Sequence, residues 1–572
     1  MKFFLLSILL IPYQLFAQHD DHVPAKAESH LNHILACRQQ IVYIHNLPPP
    51  AFLDGIGKSD LVIQTSSEKT QKYFNQGVAL LHCFWDFEAY RAFKESIRHD
   101  SAAIMPYWGL LETIGSFGKE EYKKDKELAL KKLKTLKNNA NEHEKLYVEG
   151  VLLRDSLSNG YQEYAKKLEL IVYKFPDDID AKLFLALNKM SGVNADMNPN
   201  EGHLYSEYLL RDLLRTHPDN AAAHHYWIHQ MENCCPEKAL ESADKLSSLA
   251  PRSGHIVHMP GHIYYKLGDY KRAHDAFVAS LKVDSTYMKE NGIHEVDNWN
   301  FIHNINYLLA NCAEDARYNT GLYYARKLQN MVITKERKKT YDKMFFYQGI
   351  LAPAKMEMRF AFWEKAVKQF NTIQDKDSIY GKKAMTYKEA LTLFSLGMGA
   401  LQKDQIKEAT KYSKELDAFL WRNINQDHKD DVLEWRNQNE LNIASLELQA
   451  CIKSAEGSYE EALALLEKAQ TKEKELGYSE PPGYVRPILL SIASAHERAG
   501  KFDKAVEIYQ SLLLKRPNSA NAYFGLAKAY RETGDQIKSK EFEEKLRDVT
   551  KYGDKDIYLL QQARKNQAAK KK

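Results

Sequence analysis

The feature that most restricts what this chain can fold into is its regular punctuation. Gly268-Asp269-Tyr270 precedes Ala273 and Phe277, and Gly457-Ser458-Tyr459 precedes Ala462 and Ala469. Gly500-Lys501-Phe502 precedes Ala505, Tyr509 and Pro517, and Gly534-Asp535 follows Tyr523, Ala527 and Tyr530. Each cluster places glycine where one helix ends in a left-handed residue, an aromatic at the opening of the next helix, and alanines where two helices touch. Beyond about residue 66 no run alternates in the manner of a strand. A single helix pair of this kind cannot bury its own apolar face, so successive pairs must stack into a solenoid with a concave groove. The expected fold is all-α, with about ten helix pairs between residues 67 and 550.

These spacings resemble those of the tetratricopeptide repeat family (TPR), with Asn75-Gln76-Gly77, Ala89 and Phe93 as a weaker copy near the start. The resemblance implies a helical-hairpin solenoid whose groove takes a peptide or protein partner. The chain also resembles a narrower group of exported bacterial tetratricopeptide proteins. The residues that carry this are Gln76 to Trp85, Glu88 to Phe93, Tyr107-Trp108-Gly109, His258 to Tyr264, His303-Asn304 and Glu480-Pro481-Pro482. That likeness supports the architecture and supplies no reaction.

Residues 1–17 join Lys2 to an apolar run and end in Leu15-Phe16-Ala17, the pattern of a secretory signal peptide cut after Ala17. The mature chain is expected to be periplasmic or secreted, without a membrane span. Residues 18–66 form a histidine-containing cap, 67–330 an N-terminal array, 331–477 a middle array, 478–487 a proline-rich loop, 488–550 the last repeats and 551–572 a lysine-rich tail. The loop 478–487 reads as a connector or as a rigid finger over the groove. With 80 basic and 76 acidic residues, charge gives no case for nucleic acid or an anionic membrane. Six cysteines in 572 residues do not define a disulfide framework.

The chemistry is concentrated in two histidine clusters. His225 and His258 are 33 residues apart, as are His229 and His262, which is one helix-turn-helix repeat. Spacing of i, i+4 stacks two rings on one helix face. Counting from the turn at Gly268 puts His255, His258 and His262 on the groove-facing stripe. The same frame puts His225, His229 and Glu232 on the stripe before it, and turns His224 to the packed side. Imidazoles from adjacent helices can meet one ion, with three histidines or two histidines and a glutamate suiting zinc or iron, and copper fitting where imidazoles gather. The candidate ligands are His225, His229, His258, His262 and His255, with Glu232 as ligand or general base. Outer candidates are His82, Glu112 and His303. Activation of a bound water would make such a centre a hydrolytic or oxidative metalloenzyme. A non-enzymatic adaptor holding a peptide or protein partner is the alternative.

Weaker signals are His30, His33 and Cys37 in the cap, and His294 or Asp297 at the groove edge. Trp85, Trp108, Trp227, Trp299 and Trp363 read as core. No phosphate-binding glycine loop, dinucleotide fingerprint or serine elbow is present in the sequence.

Overall fold

A computed structural model describes residues 47–117, 122–192, 198–331, 345–374, 380–424, 432–477, 484–555 and 557. The leader 1–17, the segment 18–46 with His30, His33 and Cys37, residues 478–483 and the tail 558–572 lie outside the described residues. Among the described residues there is no β-strand, and no helix is long and apolar enough to cross a membrane.

Helices pair with their sequence neighbours. The first seven pairs are α1 (Glu68–His82) with α2 (Asp86–His99), α3 (Met105–Phe117) with α4 (Lys123–Leu136), α5 (Glu142–Ser156) with α6 (Gly160–Lys174), α7 (Ile179–Lys189) with α8 (His203–Thr216), α9 (Ala221–Met231) with α10 (Leu240–Leu249), α11 (Gly254–Lys266) with α12 (Tyr270–Asn291), and α13 (Trp299–Glu314) with α14 (Tyr318–Gln329). Five more follow: α15 (Ala352–Arg359) with α16 (Trp363–Thr372), α17 (Gly381–Gln402) with α18 (Ile406–Ile424), α19 (Val432–Ala455) with α20 (Tyr459–Glu475), α21 (Ile488–Arg498) with α22 (Phe502–Lys515), and α23 (Ala520–Glu532) with α24 (Gln536–Val549).

Among the described residues twelve pairs thus stand where about ten were expected. The glycine signal accounts for the shortfall. Gly268, Gly457, Gly500 and Gly534 do take the left-handed conformation, with φ between 68° and 87°. At four other inter-helix turns the same position holds Phe84 (φ 54°), Ala316 (63°), Ala361 (56°) and Asp404 (58°), which no glycine pattern reveals. The packing between pairs is close. The Phe93 ring of α2 lies between the backbones of α1 and α3, where a Cβ on Gly77 would stand 2.5 Å from it and one on Gly109 would meet the same ring.

The solenoid curves until distant repeats touch. The His82 carbonyl, at the end of α1, accepts from His225 Nδ1 on α9 at 2.7 Å. Trp85 packs edge-on against Tyr287 of α12. Further along, the Tyr270 hydroxyl donates to the Pro517 carbonyl at 2.6 Å, and Arg516 pairs with buried Glu314 at 2.6 Å. Asn319 and Ala316 bind Asp554 beyond the last helix.

Residues 47–66 are an extended strap laid across the first helices. Gln76 holds both edges of its backbone, accepting from Leu53 N and donating to the Ala51 carbonyl, and Gln71 repeats this at Ile63 N and the Leu61 carbonyl. The strap also bonds Glu144, Asp180 and the backbone of Arg252. Of the proline-rich loop, Tyr484 is buried and its hydroxyl donates to Glu447 at 2.7 Å.

Placing a methyl group between α3 and Phe93 forces ring or backbone to shift, so Gly109→Ala should destabilise the fold by about 1–3 kcal/mol. Urea unfolding of the variant checks this, and an unchanged midpoint would show that the helices are not in close contact there.

Candidate metal centre

Three successive first helices, α9, α11 and α13, begin with side-chain caps that set a common register. Asn220 accepts from Ala223 N, Ser253 from Ile256 N, and Asn298 from Phe301 N. Five residues beyond these caps stand His225, His258 and His303, and nine beyond stand His229, His262 and Tyr307. On the preceding first helix, α7, capped by Asp178, the same positions hold Leu183 and Leu187. The imidazole stripe therefore starts at α9, and apolar side chains close it on the α7 side.

The structure brings together two groups of three rings, not one centre. His225, His229 and His255 form the first, and His258, His262 and His303 the second. Within each group one ligating atom per residue lies within 4.8 Å of the others. The groups are contiguous, with His255 and His258 ring centroids 5.9 Å apart. His303, expected as an outer member, completes the second group from a third helix. All six rings are buried, none more than 6% exposed. The expected groove-facing stripe is thus an interior one, because the turn after α1 drives Phe84 onto it. That ring lies 4.5 Å from His225, 5.4 Å from His229 and 5.6 Å from His255 between centroids. Trp299 stacks on His303 at 4.5 Å, and Tyr307 covers His262 at 4.2 Å.

Hydrogen bonds decide which nitrogen of each ring is available. His225 Nδ1 donates to the His82 carbonyl. His229 Nδ1 and His262 Nδ1 donate to the two oxygens of Glu232, at 3.1 and 2.8 Å. His258 Nδ1 donates to Asn304 Oδ1 at 2.8 Å, since the Asn304 amide nitrogen is committed to the Phe277 carbonyl. In the neutral form of these four rings the proton sits on Nδ1 and Nε2 presents its lone pair, the state in which histidine binds metal. His258 Nε2 and His262 Nε2 then face each other at 2.6 Å with no proton of their own between them. His225 Nε2 and His255 Nε2 are 3.2 Å apart. Two nitrogens bound tetrahedrally to one ion at about 2.0–2.1 Å stand roughly 3.3 Å apart. The His225–His255 pair fits that geometry as it is, and the His258–His262 pair fits after opening by a fraction of an ångström.

Burial pushes His225, His255 and His258 well below the ordinary imidazole value, and neighbouring imidazoles push the same way. Burial alone would raise the Glu232 carboxyl, but the hydrogen bonds and charge of His229 and His262 outweigh it and hold the group well below the usual carboxylate range. Behind His255, burial pushes Asp284 up to about 7, and Asn300 donates to it at 2.7 Å.

Two of the outer candidates do not join. His82 spends both nitrogens elsewhere, on Asp180 and Tyr226 at 2.9 Å each, and contributes its carbonyl instead. Glu112 pairs with Arg154 at 2.5 Å. Glu232 stands outside both three-ring groups and orients one ring of each, which is a different position from the ligand or base expected. His224, on the packed side as expected, is held by Ser242 and the Pro218 carbonyl. His294 and Asp297 flank or form the short turn before α13 rather than the ligand groups. Trp108, Trp227 and Trp363 are buried, as the core reading requires. Phe84 and Asn304 carry only the family resemblance in the sequence, and Tyr307 carries no signal there. Their equivalence to other repeats shows only once the caps are aligned.

Residues 490–536 match the tetratricopeptide repeat family. Among curated proteins no match was found. Similar solved structures include yeast Tom70, at 13% identity over 88% of this chain and 95% of that one with a TM-score of 0.32. Human IFIT1 in a dimer with m7Gppp-AAAA follows at 11% over 85% and 90%, TM-score 0.32. The P58(IPK) TPR domain is similar at 15% over 69% and 99%, TM-score 0.20.

The ion-free protein should be acid-labile. The depressed imidazoles contribute stability that is fully present above their unfolded value near 6.5 and is lost as pH falls, because the unfolded chain takes up protons that the buried rings refuse. Glu232, depressed as well, acts in the same direction at lower pH. Denaturant midpoints of chelator-treated protein should drop between about pH 7.5 and about pH 5.5. A flat profile would show that these rings are not held neutral.

Proposed function

We propose that this all-α tetratricopeptide-type solenoid binds transition-metal ions at two enclosed three-histidine sites. The observation that carries this is the His258–His262 contact. Both Nδ1 atoms donate, so when both rings are neutral two buried Nε2 lone pairs stand 2.6 Å apart, and a cation between them would satisfy both. Imidazole donors suit zinc, iron or copper, and three of them leave a position open for a reactant. Glu232, Asn304 and the His82 carbonyl hold the rings in the metal-binding tautomer. An open position on such an ion would support Lewis-acid or redox chemistry, so a metalloenzyme is the extended form of this reading. The apolar run of residues 1–17 supports export of the protein.

Elemental analysis of the chain purified without a histidine tag is the direct test. At least one metal ion per chain is expected in the parent. The His258→Ala, His262→Ala variant should lose metal from the second group while keeping its helical circular dichroism. No metal in the parent after anaerobic reconstitution with zinc, iron and copper would sink the reading.

Tetratricopeptide arrays generally bind peptide or protein partners, and one observation favours an adaptor role as a second reading. A cleft of about 760 Å³ beside the strap is lined by Asp60, Asp177 and Asp219, by Asp178 and Asp180, which are committed to His143 and His82, and by Lys58 and His217. Such a surface suits a basic segment. A lysine-rich probe peptide should bind and be released by salt, and Asp177→Asn with Asp219→Asn should weaken it several-fold. Equal binding by both proteins would remove the cleft from consideration.

A further inference from the structure

The two groups are built as a pair, and the geometry points to a dinuclear copper centre that is stable as copper(I) and oxidised by dioxygen. This rests on the metal-binding reading above and deepens it. Three observations carry it.

The groups are tied to each other. His229 and His262, one from each, bind the two oxygens of the same Glu232 carboxylate. His255 and His258, again one from each, are three residues apart on α11, with centroids 5.9 Å apart. Two ions held by these sets are neighbours, and displacement of one ring would be felt at both.

The donors are neutral. Six imidazoles bring no negative charge, and Glu232 brings one. Two divalent ions would set four positive charges against that carboxylate in a site where every ring is buried. Two copper(I) ions would set two. Uncompensated charge in a low-dielectric interior is strongly unfavourable, so the site favours the lower charge. Zinc is fixed at the higher charge, and iron in biological sites is divalent or trivalent. Among ions that imidazole binds well, copper has a stable monovalent state.

The surroundings are apolar and aromatic. Phe84, Phe277, Tyr307 and Trp299 pack on the rings, and an apolar molecule such as dioxygen enters such surroundings at lower desolvation cost than a hydrated ion does. The step balances as follows. Each copper(I) gives up one electron, dioxygen accepts both, two copper–oxygen bonds form, and the product is peroxide held by two copper(II) ions. No proton is consumed.

The test is anaerobic titration of the full-length metal-free chain with copper(I), in competition with a colourless-to-coloured copper(I) chelator, beside parallel zinc and iron(II) titrations. Air is then admitted and the copper spin is measured by electron paramagnetic resonance. Two copper(I) ions per chain, retained against the chelator and giving an oxidised state with little paramagnetic copper, are expected. His225→Gln with His255→Gln should lower the stoichiometry from two to one and make the oxidised copper fully visible, and an unchanged stoichiometry would overturn the assignment of ligands. The wild-type readout does not depend on that variant folding. Two zinc or iron ions bound where copper is given up would overturn the copper assignment and leave the metal-binding reading standing. Two copper(II) ions with full, uncoupled signals would overturn the pairing. Failure of every metal to bind would overturn both readings.

Discussion

The hydrogen bonds that fix the Nδ1 protons are the constraint on which the centre of this molecule depends. A neutral imidazole has one N–H and one lone pair, and burying several side by side is costly unless each nitrogen has a partner. Glu232 settles two rings at once, on different helices, through its two oxygens. The His82 carbonyl settles a third and Asn304 a fourth. With the outer nitrogens committed, the inner ones are forced to converge. The convergence of the inner nitrogens is a result of how the outer shell is built, and the proposed metal binding rests on it.

That outer shell is distributed over the whole N-terminal half. Glu232 ends α9, Asn304 belongs to α13, and the His82 carbonyl comes from the first repeat, 143 positions from the ring that it holds. The superhelix has to curve tightly enough for the first pair to meet the fifth and sixth. The left-handed turn at Phe84 serves both needs, since it ends α1 and swings an aromatic ring over three histidines. A non-glycine residue at that φ carries some backbone strain, and it is held there by the packing on every side.

The helical scaffold and the core of the site were legible in the sequence for the same reason, periodicity. His225 and His229, then His258 and His262, repeat at i, i+4 within a helix and at one repeat between helices, and such patterns survive without knowledge of the tertiary fold. What was not legible depends on curvature and on exceptions to the pattern. Phe84, Ala316, Ala361 and Asp404 hide four turns because they occupy positions where glycine is the usual signal. The division into two groups depends on His303 arriving from a third helix, and burial of the stripe depends on the contact between the first repeat and the fifth. His82 looked like a ligand because its type and location were right, but its ring is taken by Asp180 and Tyr226.

The strap of residues 47–66 has a bearing on the order in which this molecule can be completed. It is among the earliest parts of the described chain, yet its anchors include Glu144, Asp180 and the backbone of Arg252. Those partners do not exist until some two hundred further residues have been made. The strap must therefore stay undocked while the first five repeats assemble, and it is laid down afterwards as a seam along their first helices. Once docked, the strap ties the start of the described chain to residues as far on as 252, so a cut or insertion within it should loosen the contacts among all five of these repeats together.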